Sequence, residues 1–158
     1  MMIQVLRPMH KGADGRPELG EAALRLGVRS TDVQLNDDCK VMPTQGVSIA
    51  TSMQGVRKLP PFLLPFKFSK LPLKLDPHKS NLKLFAYSAT EFEPFRLRAP
   101  IGQGLSVVAK STPGTGYIVP IDCISIEDFN SLVINTRGKW QDIGWQVVIQ
   151  LFEEMDDD

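Results

Sequence analysis

Between Leu59 and Leu75 the sequence LPPFLLPFKFSKLPLKL sets Pro60, Pro61, Pro65 and Pro72 among Phe62, Leu63, Leu64, Phe66 and Phe68. Proline fixes φ and carries no N–H, so this density excludes a helix and a central strand. A flexible linker would be polar. The stretch is therefore expected as an extended loop that hugs the core or lines a groove.

Around it lie short periodic segments. Ile3–Leu6, closed by Pro8, reads as a first strand, followed by a polar loop over His10–Pro17 with two glycines. Leu19, Ala22, Ala23 and Leu26 fall at i, i+3, i+4 and i+7, which predicts a short helix over 19–26 stopped by Gly27. Asp32–Gly46 is turn-rich. Val47–Ala50, Leu82–Tyr87, Phe92–Arg98, Leu105–Lys110 and Tyr117–Ile121 read as strands, with Thr112–Gly116 a turn and Pro120 marking an edge or an end. Ser125–Thr136 is the clearest helix. Ser125 suits the N-cap, Glu127 and Asp128 complement the positive helix end, Ile126, Phe129, Leu132 and Val133 form a stripe, and Gly138 terminates it. Trp145–Leu151 is β-rich in composition and reads as a strand, although it could continue as helix into the acidic end. There is no regular βαβ alternation. The expected class is α+β, a single domain over residues 1–152 of mostly antiparallel short strands with two or three helices, and an acidic tail over 153–158.

At 158 residues the chain can bury a core without a metal or disulfide staple. Eighteen basic and 18 acidic residues cancel, so no global charge draws it to nucleic acid or to an anionic membrane. Seven lysines and arginines crowd positions 57–83 and five acids crowd 153–158. They could pair within the chain or be a solvated face and a frayed end. Two scattered cysteines, Cys39 and Cys123, form neither a disulfide framework nor a zinc knuckle. Cys123 beside Asp122 reads as a small core residue rather than a nucleophile. The N-terminus lacks the basic and apolar stretches of a secretory signal, and no run of about 18 apolar residues occurs. The expected location is cytoplasmic, or exported without a signal peptide, with no membrane span.

No Walker loop, HExxH, GxSxG or CxxC is present. The Gly102/Gly104 and Gly114/Gly116 pairs lack a third glycine and read as turns. His10 and His78 read as loop residues, and no metal site is expected. Phe85, Tyr87, Phe92 and Phe95 read as core rather than as an RNA-stacking set.

Four segments in order suggest more. A strand ends in Arg7, and Arg16-Pro-Glu-Leu-Gly20 leads to Leu24-Arg-Leu-Gly-Val-Arg29. Asp32-Val33 precedes Val41-Met-Pro43-Thr44-Gln-Gly46-Val47-Ser48. Leu59-Pro60-Pro61-Phe62 follows with Pro65. Thr115–Pro120 then precedes Ile124–Phe129, Thr136-Arg137 and Trp140. In order and spacing this resembles the ADP-ribosyltransferase-like toxin domain of type VI secretion effectors and related small bacterial proteins. The resemblance implies an ADP-ribosyltransferase-like fold, NAD as substrate, and cleavage of the nicotinamide–ribose bond with capture of the ribosyl cation by a nucleophile. It implies Arg7 as the dinucleotide contact, Ser48 on the ribose side and Tyr117 stacking on nicotinamide. Arg7 and Ser48 are thus the candidate catalytic pair, and a protein target or cognate immunity protein is the implied partner. The chain departs from the family where Gln45 and Val47 interrupt its glycine doublet and where Thr115 stands in place of a frequent histidine. No acid matches the family's carboxylate, and Glu127 reads as a helix-start charge. The alternative is a non-catalytic binding or regulatory module that keeps the fold and offers the proline-rich loop 59–75 to a partner protein.

Overall fold

Alternation along Val5–His10 divides the molecule into layers. In the computed structural model, which describes residues 5–21, 23–66, 73–87, 98–100 and 104–156, this strand (β1) turns Val5 and Met9 to one side and Leu6 to the other. Each side meets its own apolar cluster. The other strands are β2 (Val47–Ala50), β3 (Leu82–Tyr87), β4 (Arg98–Pro100), β5 (Leu105–Ala109), β6 (Thr115–Pro120) and β7 (Trp140–Asp142). Together the described strands form one sheet in the order β4-β5-β6-β2-β1-β3-β7, antiparallel at every pairing. Among the described residues three α-helices accompany them: α1 (Met53–Val56), α2 (Ile126–Ile134) and α3 (Gln146–Asp156). This is a single small α+β domain, as the segment pattern predicts. No helix among the described residues is long and apolar enough to cross a membrane.

On one face α2 lays Phe129 and Val133 against Val47, Ile49, Phe85, Val107, Ile118 and Trp140. The N-cap forms as expected, with Ser125 Oγ accepting the Asp128 N–H at 3.1 Å. Ser125→Ala is expected to cost about 1 kcal/mol, and chemical denaturation would read it as a lowered midpoint at constant slope. The helix ends at Ile134, short of Gly138, and a 3₁₀ turn at Arg137–Lys139 carries the chain into β7.

The opposite face is covered by the proline-rich strap, α1 and α3. Leu59, Leu63, Leu64, Phe66 and Leu73 are buried there with Leu84, Val56 and Val148. The strap thus hugs the core over its described part, while Phe62 and Leu75 face solvent. Lys79 donates to the carbonyls of Phe62 and Leu64, so one charge of the basic middle serves to pin the strap.

Several expectations are corrected. β1 runs through Pro8 to His10 instead of ending before the proline. The His10 N–H bonds to Leu24 O, away from β3, and residues two apart point the same way. The nitrogen of Pro8 therefore faces off the β1–β3 ladder, where no N–H is required. The described residues of 19–26 form no helix. Gly20 donates to Leu26 O and Leu26 to Glu18 O in a closed loop, and Leu19 is exposed. Gly27 serves that loop and caps no helix: a Cβ there would stand 2.3 Å from Gly20 O.

Trp145–Leu151 is helical. Trp145, Val148 and Ile149 turn inward while Val147 is 55% exposed, a 3.6-residue period and not alternation. α3 continues to Asp156, and Glu153 Oε1 accepts the Leu73 N–H at 2.8 Å. Thr115 begins β6, β5 stops at Ala109, and Gly116 lies within β6. Cys123 is exposed and is no core residue; Cys39 is exposed too. Phe85 and Tyr87 are core, as expected. Of the strand expected over Phe92–Arg98, only Arg98 lies within the described residues, as the start of β4.

Candidate functional site

β1 and β2 are registered only at Leu6↔Ala50. Past that point the 18–26 loop enters between them, with His10 N–H on Leu24 O and Glu18 N–H on His10 O. Arg7 bridges this split. Its Nη1 donates to Ser48 O on β2 and its Nη2 to Ala23 O at 2.6 Å. The residue is only 4% exposed, and among the described residues its Nε has no hydrogen-bond partner. Burial pushes its pKa down to about 10, against a raising effect from Asp32 and a lowering one from Arg29. It is cationic at neutral pH all the same. Each terminal nitrogen that could grip a dinucleotide is thus tied to a backbone carbonyl, and what buried Arg7 chiefly offers a ligand is its charge.

β2 continues to β6 with Ser48 opposite Tyr117. Alternation sets both on the face away from Val47, Ile49 and Ile118. Tyr117 is in turn opposite Val108 on β5, and Lys110 lies two residues further along that face. The β5–β6 hairpin closes there: Lys110 N–H bonds to Thr115 O, and Gly114 takes φ +82°, a conformation suited to glycine. Lys110 consequently folds back over the sheet. Its Nζ donates to Ser48 Oγ at 3.1 Å and sits 4.2 Å from the Tyr117 ring centroid, a cation–π contact. Burial, and then the charge of Arg7, hold its pKa below the ordinary lysine value. Among the described residues Lys110 has no carboxylate partner at ion-pair distance.

Ser48 and Tyr117 therefore share one face of the sheet with Lys110, while Arg7, on the other face with Val5 and Met9, reaches Ser48 at its backbone carbonyl. Lys110 is the member that sequence reasoning missed. Its only sequence signal is position: two residues beyond the strand partner of Tyr117, at the mouth of a glycine turn. Thr115, in place of the family histidine, is buried and donates its hydroxyl to Thr112 O, so it serves the hairpin turn. Glu127 lies exposed in the first turn of α2, consistent with a helix-start charge. Asp32 is bound by Arg29 through Nε and Nη2, the latter at 2.7 Å. Among the described residues no group of three His, Cys, Asp or Glu side chains could hold a metal.

The assembly is a cationic, partly solvated patch with an aromatic face and a hydroxyl, mounted on paired strands. It can accept an anionic group beside a planar ring. No protein-family model, curated protein or solved structure matches this chain.

Proposed function

We propose that this chain is an ADP-ribosyltransferase-like domain that binds NAD at the cluster of Arg7, Ser48, Lys110 and Tyr117. The observation that carries the reading is the convergence of Ser48, Tyr117 and Lys110 on one sheet face, beside the buried charge of Arg7 at the Ser48 carbonyl. The ordered family segments add independent support. Lys110, the more exposed cation, neutralises a phosphate oxygen, and Arg7 behind it adds a fixed positive field. Tyr117 offers its ring to the nicotinamide. Ser48 Oγ, still beside Lys110 Nζ, faces the ribose.

Calorimetric titration with NAD tests this directly. Saturable binding is expected for the native chain, weakening as salt rises because the contact is ionic. Lys110→Ala is expected to bind at least about 10-fold more weakly, the loss of one charge-assisted hydrogen bond. Its melting temperature should stay near that of the native chain. No saturable heat with the native chain, or equal affinity in the variant, would overturn the proposal.

A further inference from the structure

The contact between Lys110 and Ser48 has a chemical meaning beyond holding a ligand. A serine hydroxyl is a poor nucleophile unless a base stands within hydrogen-bond reach to take its proton. Lys110 Nζ is at 3.1 Å from Ser48 Oγ. The ammonium is compensated only by a ring face and a neutral hydroxyl, with Arg7 repelling it and no carboxylate of the described residues paired to it. Burial and the charge of Arg7 favour the neutral amine, the form that can accept a proton, while the ring face and the accepting hydroxyl hold the ammonium until it deprotonates. Ser48 itself is held rigidly. Its strand is laddered to β6, and its own carbonyl is clamped by Arg7. A nucleophile on a paired strand is positioned better than one on a loop.

We propose that Ser48 and Lys110 form a nucleophile–base pair, and that Ser48 Oγ accepts the ADP-ribosyl group of NAD. This rests on the NAD-binding reading above. In the step, Ser48 Oγ forms a bond to C1′ of the nicotinamide ribose. The C1′–nitrogen bond breaks, and its electron pair leaves with nicotinamide, which departs neutral. The Oγ proton passes to Lys110 Nζ, which becomes the ammonium. The product is an O-glycosidic ADP-ribosyl–Ser48, open to later transfer to water or to an external hydroxyl.

Lys110→Arg separates the base from the cation. Arginine keeps the charge and the donors that hold phosphate, but it stays protonated across the working range and cannot take a proton. The native chain incubated with NAD is expected to gain one ADP-ribosyl group, mapped by peptide mass spectrometry to Ser48. The rate should rise with pH as Lys110 deprotonates and level off below the ordinary lysine pKa of 10.5. Arg7, Ser48 and Tyr117 are the groups around that amine, and Arg7 keeps its charge through most of this range. At saturating NAD, adduct formation by Lys110→Arg should fall at least about 100-fold, within the usual span of general-base catalysis, so that a change in affinity does not enter. An adduct at another residue, no adduct despite calorimetric binding, or an unchanged rate in Lys110→Arg would overturn the nucleophile–base pair and leave the binding reading standing. Absence of NAD binding by the native chain would remove both.

Discussion

Gly46→Ala is expected to lower the melting temperature by about 10 °C, a loss of about 3 kcal/mol or more. Gly46 immediately precedes β2, and a Cβ built on it would stand 2.0 Å from Ile118 O and 3.2 Å from the tip of the Phe129 ring. The close atom belongs to the backbone of β6, whose ladder with β2 begins at Val47↔Ile118. It cannot rotate away as a side chain would. Relief requires β2 to move off β6, which breaks ladder hydrogen bonds and draws Ser48 away from Tyr117 and Lys110. Stability and NAD affinity should therefore fall together. Gly138→Ala is the matched control. Nothing lies within 4 Å of its would-be Cβ, and its effect should stay within about 0.5 kcal/mol. Thermal unfolding of the two variants beside the native chain checks this, and a Gly46→Ala melting temperature within a degree of native would contradict the packing described.

Arg7→Ala is expected to cost about 3–5 kcal/mol of stability. The carbonyls of Ser48 and Ala23 lose their donors, at about 1–3 kcal/mol each, and the vacated guanidinium leaves a void between β1 and β2. The relief of no longer burying a cation offsets part of this. The sign of that offset is fixed by the pKa. A base whose folded value, about 10, lies below its ordinary one opposes folding while both states are charged, below pH 10. The penalty is relieved only as pH rises above about 10, so it is present in full at neutral pH. Arg7→Lys should recover less than half of the loss, because a compact ammonium lacks the fork that spans two carbonyls. Urea unfolding would measure both variants, and amide exchange at His10 and Glu18 should report opening of the split. A loss below about 1 kcal/mol for Arg7→Ala would mean that the bridge is dispensable.

These residues show how much could be read in advance and why. The resemblance singled out Arg7 and Ser48 as ligand contacts, and they do meet. Yet the bonds of Arg7 go to backbone, because β1 and β2 part after one register pair and something must satisfy Ser48 O. Gly46 belongs to a segment that the resemblance singled out, whereas its would-be Cβ collides with a neighbouring strand. Lys110 gave no signal, since a lysine after a strand is ordinarily solvated. Its meaning comes from two pairings, Ser48↔Tyr117 and Val108↔Tyr117, that only the assembled sheet defines.

What the sequence determined alone is what local physics governs. β2 and β3 have the bounds their apolar runs predict, α2 starts at the serine that caps it, and the prolines keep the 59–66 strap out of regular strand and α-helix. What tertiary structure decided is wherever one pattern fits two conformations. Residues 19–26 have helical spacing but spend their backbone groups on His10 and on one another, while Trp145–Leu151 has strand composition but buries Trp145, Val148 and Ile149 on one helical face. Backbone hydrogen bonds and buried area are shared among segments far apart in the chain, so neither choice can be made until the sheet exists.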